Sequence, residues 1–403
     1  MKVDLGVRAI VLVVSMLLLG LMPESRPYVE AIVHGNELRR ATEYRAALRA
    51  YDTARSVHPK AALIYLLTAQ SYLDLGKPEK ALPLYRKALA ESPGELAILV
   101  GWGQAYSDLG DTDRAIELWK QALRLNRHRS DAYCLLGMAY LSRGDLTVAA
   151  TNLEASLNTA SEQPSDSQHQ MASYGLGLLR ALDDLAVARK YLDEAVRGPD
   201  AVVSSNAQAI IQALAQATGE SRSRKTILGA ALVGLGQWQL AQAHLERAIA
   251  DNPHDVEALA YLGEALSQQG KSTEAEARLR AALALDPDHI LALYFWGKHN
   301  ARQGLSTAAR EAFERILALD NANAAACAEI GRTYVLDHDY ALAQTWFEEA
   351  VTRLPDLAEF YLVLAEFESE QLFDVAKGLS AARKAAEIDP QNPLAQDMLG
   401  WLF

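Results

Sequence analysis

Nine histidines, two cysteines and a few adjacent carboxylates are the side chains of this 403-residue chain that could carry chemistry. A metal site or a catalytic centre needs such groups to converge, and their spacing here argues against convergence. His58, His128, His254 and His289 stand in turn-forming surroundings rich in Pro, Asp and Arg, where a solvated loop residue is the simpler reading. His34, His244, His299 and His338 are scattered and form no ligand cluster. Two cysteines, Cys134 and Cys327, are too few for a disulfide framework or a Cys-rich zinc site; they fall in different parts of the chain's repeats and read as small apolar residues of helices. Glu348-Glu349 and Asp183-Asp184 read as solvated helix faces rather than paired acid and base. There is no phosphate-cradling glycine loop, no His-Glu-x-x-His and no Gly-x-Ser-x-Gly. The expectation is a chain that is not an enzyme and needs no cofactor or metal.

Charge narrows the partners. With 39 Lys+Arg against 51 Asp+Glu the net charge is −12, which repels phosphate backbones. Arg222-Ser223-Arg224-Lys225 is too short to make a basic stripe, so no nucleic-acid partner is expected.

The first residues carry a targeting pattern. Lys2 and Arg8 precede an uncharged run, Ala9 to Met22, and only Asp4 opposes them. The 18 residues from Leu5 to Met22 would make a helix about 27 Å long, marginally enough to span a bilayer. No Ala-x-Ala site follows, and no cysteine that would mark a lipoprotein. The leading expectation is a single-pass signal anchor at 5–22 with an extracytoplasmic array beyond it. Secretion after cleavage at a poor site and a buried terminal helix stay open.

The rest of the chain repeats. Ala47, Ala81, Ala115 and Ala149 are each 34 apart, and so are Ala241, Ala275, Ala309 and Ala343. Gly76, Gly110 and Gly144 keep the same step, as do Gly236, Gly270 and Gly304. Within 96–129, Leu99, Trp102, Gly103 and Tyr106 share one face of a first helix. Gly110 ends it in the left-handed conformation, and Asp111 or Thr112 caps a second helix whose apolar face is Ala115, Ile116, Trp119, Ala122 and Leu123. Prolines such as Pro93, Pro253 and Pro287 then stop the second helix.

These residues closely resemble the tetratricopeptide repeat, whose pattern is Trp-x2-Leu-Gly-x2-Tyr, then Ala-x3-Phe, then Pro. Tyr133, Leu136, Gly137, Tyr140 and Ala149 fit it. Leu259, Leu262, Gly263, Ala275, Leu279, Ala282 and Pro287 fit as well. Cys327, Ile330, Gly331, Tyr334, Ala343, Phe347, Ala350 and Pro355 are nearly complete. The resemblance implies an all-α protein, an α-solenoid of helix-turn-helix repeats wound as a right-handed superhelix, with the apolar N-terminal anchor helix outside it.

The implied organisation has five parts: a cytoplasmic tip and anchor at 1–27, a first stack of four repeats at 28–163, an irregular junction at 164–221, a second stack of about five repeats at 222–392, and an unpaired half repeat at 393–403. The junction follows from register, because Ala149 to Ala241 is 92 residues, 24 more than two repeats. A polar stretch, 161–170, reads there as a loop, followed by a degenerate repeat and an extra helix over 201–218. A tolerated insertion and a hinge or docking element both stay open. So do three readings of the apolar C-terminus: folding back on the last repeat, self-association with a second chain, or truncation.

In this architecture the first helices line a concave groove for protein or peptide ligands. On that alignment the first stack presents Leu63, Leu66, Gln70, Leu73, Val100, Gln104, Cys134, Met138 and Leu141, an apolar strip. The second presents Glu257, Glu264, Tyr294, Lys298, Arg302, Arg332, Glu359 and Glu366, charged with both signs. Packing between neighbouring repeats explains the first strip equally well. The carboxylate-binding clamp of chaperone cofactors is absent, since Ile32, Leu67 and Gly101 stand where its basic and amide residues belong beside Asn36. The expected function is a non-catalytic scaffold at a membrane, holding an envelope or secretory assembly. The rivals are a substrate-holding accessory of a glycosyltransferase or polysaccharide-synthesis system, and a soluble adaptor.

Overall fold

A computed structural model describes residues 26–159, 166–181, 183–216 and 223–402. Among the described residues there are 22 helices and no strand, and the chain is an all-α helical-repeat solenoid. It divides into two compact units, one ending at Gln212 and the other starting at Ala213.

In the first unit the pairs are α1 (Arg26–Arg40) with α2 (Tyr44–Val57), α3 (Ala62–Asp74) with α4 (Pro78–Glu91), and α5 (Leu96–Asp108) with α6 (Thr112–Leu125). Next come α7 (Ser130–Arg143) with α8 (Leu146–Thr159) and α9 (Asp166–Arg180) with α10 (Leu185–Val196), and then α11 (Ala201–Gln216), whose last turn passes the boundary. The second unit pairs α12 (Arg224–Gly234) with α13 (Trp238–Asp251), α14 (Val256–Gln268) with α15 (Ser272–Leu285), and α16 (Ile290–Arg302) with α17 (Ser306–Leu319). It continues with α18 (Ala324–Leu336) and α19 (Tyr340–Arg353), α20 (Ala358–Glu370) and α21 (Val375–Ile388), and ends at α22 (Pro393–Leu402).

One contact explains most of the pairing. In most of the pairs a glycine of the first helix faces a large residue sixteen positions later on the second, as with Gly35 and Tyr51, Gly103 and Trp119, Gly137 and Leu153, Gly263 and Leu279, Gly297 and Phe313, and Gly331 and Phe347. A Cβ on Gly103 would lie 2.8 Å from Trp119 Cδ1, and one on Gly263 2.5 Å from Leu279 Cγ. No carbon contact survives at that range, so the missing side chain is what lets the helices meet. Ala115, Ala149, Ala275 and Ala343 are fully buried and allow the same close approach from the second helix.

The turn between paired helices needs a positive φ, supplied by Gly76, Gly110, Gly144, Gly236, Gly270 and Gly304 at +65 to +82°. Asp111 then caps α6 by accepting from the Arg114 N–H at 3.2 Å. At three other turns a residue with a side chain takes that place, and Thr42, His338 and Phe373 adopt φ of 56–62°. Phe373 is 83% exposed, so its ring gives nothing back for the strain. Phe373→Gly should therefore raise stability by about 0.5–1 kcal/mol, after allowing for the extra freedom of glycine in the unfolded chain. A thermal melt by circular dichroism tests it, and a lowered Tm would show that the ring has a packing role.

Between the regular pairs and α11 the join is made by one buried amide. Gln170 donates from Nε2 to the Ala195 and Asp200 carbonyls, both at 2.9 Å, and its Oε1 accepts from the Asp200 N–H at 2.8 Å. The polar stretch expected as a loop is thus helical from Asp166, while 160–165 lie outside the described residues. The amide holds α9 against the turn that leads into α11.

Two expectations about the ends meet different outcomes. The single-pass topology is corrected: no helix among the described residues is long and apolar enough to cross a membrane, and the run 5–22 lies outside them. At the other end, Ala395 of α22 is buried and Met398, Leu399 and Leu402 pack on the core of α20 and α21, while Leu394 and Trp401 stay 66% and 64% exposed.

Candidate functional site

The residues proposed from sequence as groove-lining fall differently in the two units. In the first, Leu66 and Leu141 are buried, at 7% and 1% exposure. Leu66 packs with Tyr85 and Ile98, bridging α3 to the next repeat. Leu73 and Val100 are half-buried against the same kind of inter-repeat core, and Met138 fills the space beside Gly175 of α9. Gln70 accepts from Arg39 Nη1 at 3.0 Å, and Gln104 donates to Asp108 at 2.6 Å. Leu63, at 43%, is the apolar member of this strip that stands exposed. The geometry brings these residues together chiefly as packing between repeats.

Cys134 is 1% exposed and donates toward the Gln168 carbonyl at 3.6 Å. Burial, then the nearby Asp131 charge, pushes its thiol up to about 12, far from a nucleophile's range. Cys327 is buried in the other unit, and burial raises its thiol too. Among the described residues no three His, Cys, Asp or Glu gather where they could hold a metal ion.

In the second unit Lys298, Arg302, Arg332 and Glu366 line a cavity, whereas Glu257, Glu264, Tyr294 and Glu359 are not among its walls. Successive first helices α16, α18 and α20, with Phe347 from α19, enclose about 420 Å³. That volume lies within the ~300–1,000 Å³ of ordinary ligand sites. Phe347 and Phe367 form a buried floor, their ring centroids 4.9 Å apart and tilted by 50°. Val335, Leu336 and Val363 extend the apolar wall.

The charges around this floor are mostly committed to each other. Arg302 of α16 reaches back to the buried Glu264 of α14 with two nitrogens, at 2.6 and 3.0 Å, and also donates to Ser267 at 2.7 Å. Lys298 stands 3.8 Å from the same carboxylate. Arg332 pairs with Glu329 at 2.6 Å, and that carboxylate also accepts from the Tyr294 hydroxyl at 3.2 Å. Burial, then the Glu329 charge, holds that hydroxyl well above the ordinary phenol range. Lys298 links the two groups, its Nζ 5.5 Å from the centre of the Tyr294 ring, and Glu257 and Glu359 lie on α14 and α20.

Sequence reasoning missed Glu329, Glu370 and the phenylalanine floor. Glu329 lies 35 positions after Tyr294, one repeat and one residue on, which is the signal that could have found it. Phe347 belongs to the repeat pattern, where its role in a cavity is invisible.

Residues 32–95 and 100–164 match one tetratricopeptide-repeat model, and 232–294 match another. No curated protein matches the chain. Among solved structures, it is similar to the thermophilic TPR protein TTC0263 of Thermus thermophilus at 22% identity, over 44% of this chain and 96% of that one, with a TM-score of 0.41. It is similar to yeast Tom70 at 14% identity, over 94% and 95% of the two chains, with a TM-score of 0.39. MamA gives 21% identity over 41% and 95%, with a TM-score of 0.33. None of the matched models is of an enzymatic family. The matched segments, just under half of the chain, lie in both units: the chain carries tetratricopeptide repeats over 32–95, 100–164 and 232–294.

Proposed function

We propose that the chain is a non-catalytic scaffold that holds a segment of a partner protein against the first-helix face of its second unit. The observation that carries this reading is the cavity over Phe347 and Phe367, a preformed apolar floor ringed by charge on helices that are already fixed by packing. Such a site costs little ordering on binding, so a few contacts give useful affinity. Repeats that touch only their neighbours suit this role, because the surface can be long while its stability stays local.

A photo-crosslinking amino acid tests the reading. Leu336 is 53% exposed and lines the cavity, whereas Glu311 is exposed on α17, a second helix. With the crosslinker at position 336 in cells, discrete adducts to other proteins are expected, and few or none from position 311. Equal adduct patterns from both positions, or none from 336, would sink the proposal.

A further inference from the structure

The cavity in the second unit has an unbalanced rim, and its imbalance points to a ligand chemistry. Every cation around it already has a carboxylate: Lys298 and Arg302 share the buried Glu264, and Arg332 has Glu329. For an acidic ligand to bind here, one of those carboxylates would have to give up its partner. Glu264 and Glu329, 3% and 8% exposed, would then be left poorly solvated, which is costly. Glu366 and Glu370 line the same cavity from α20, where they are exposed, four residues apart on one face, and make no ion pair among the described residues. They are adjacent to the apolar wall of Val363 and Phe367. Two unpaired carboxylates beside an apolar floor complement a cation carried next to a large apolar group.

Building on the scaffold reading, we infer that this cavity selects a peptide segment presenting a Lys or Arg within four positions of a Leu, Ile, Met or Phe. The apolar side chain seats on Phe347 and Phe367, and the basic one lies along the wall with its charge between Glu366 and Glu370. Long basic side chains are suited to this, since their methylene stems cover apolar surface while the head reaches a carboxylate. The pairing is exposed, so it acts mainly as a selector among segments and less as the source of affinity.

The test uses the full chain and an array of random twelve-residue peptides, with Glu366→Gln/Glu370→Gln as the paired variant. Both substitutions fall on exposed side chains, and an unchanged melt shows the fold is kept. The expected result is enrichment of peptides carrying the basic-apolar pair. For those peptides, binding should weaken about 3–10-fold in the variant, the range of two half-exposed ion pairs, and should weaken with added salt in the wild type alone. Enrichment of acidic or uncharged peptides, or basic peptides indifferent to the double variant, overturns the inference and leaves the scaffold reading standing. An array on which no peptide is enriched overturns both.

Discussion

Trp119→Ala is expected to remove about 3–5 kcal/mol from the first unit, the range for truncating a large buried aromatic. The indole is 1% exposed, lies against Ile116 and Leu136, and donates from Nε1 to the Val100 carbonyl at 3.1 Å. It also occupies the space that Gly103 leaves open. Removing it opens a void between α5 and α6 that backbone shifts cannot easily fill, because the neighbouring repeats hold both helices. Trp119→Phe should recover most of the loss, since Phe313 and Phe347 fill the same slot opposite Gly297 and Gly331. The reciprocal change, Gly103→Ala, overpacks the same contact and should cost about 1–3 kcal/mol. Urea unfolding followed by circular dichroism gives the numbers. Amide exchange gives the pattern: protection lost first over α5 to α7, and least at α1, two repeats away. A Trp119→Ala protein that unfolds within 1 kcal/mol of wild type would show that the helix pair does not depend on this contact.

That contact also shows how much of the molecule is legible in one sequence. The 34-residue ladder, the glycine that ends each first helix and the residues that face inward at i, i+3, i+4 and i+7 all depend on local geometry, which repeats with the chain. So the helix pairs can be read from spacing alone. The assignment of Leu66 and Leu141 to an accessible strip could not be settled in that way. A first helix offers one flank to the face and another to the next repeat, and a difference of one helical step decides between them. Leucine at such a position is drawn to whichever side excludes water, and in this unit that is the next repeat's core. Charged residues are more informative, because burial without a partner is costly to them. Glu264 and Arg302 are 38 positions apart, one repeat plus one helical turn, so their pairing is a consequence of the period that spacing alone does not reveal.

The largest electrostatic effect follows from the same pair. Arg302→Met is expected to cost about 3 kcal/mol, the low end of the ~3–5 kcal/mol for stripping one partner from a buried ion pair. The Glu264 side chain is 4% exposed and would keep Gln268 Nε2 at 2.9 Å and the more distant Lys298 Nζ at 3.8 Å. Those contacts temper the loss without replacing two charge-assisted bonds. Ser267, which accepts from Arg302 and bonds His299 Nδ1 at 2.9 Å, would lose one partner and keep the other. If desolvation is the cause, removing the charge on both sides should restore what removing one destroys. Glu264→Leu/Arg302→Met is therefore expected to lie near wild-type stability or above it, by up to about 1–4 kcal/mol. Lys298, with its side chain 31% exposed, can then turn to water. Urea midpoints of the two variants decide the matter. A single variant costing under about 0.5 kcal/mol would mean that the pair behaves as a surface bridge. A double variant as damaged as the single one would mean instead that Arg302 stabilises the face through its packed stem and its bond to Ser267, and that the buried carboxylate is held by α14 and α16 without it.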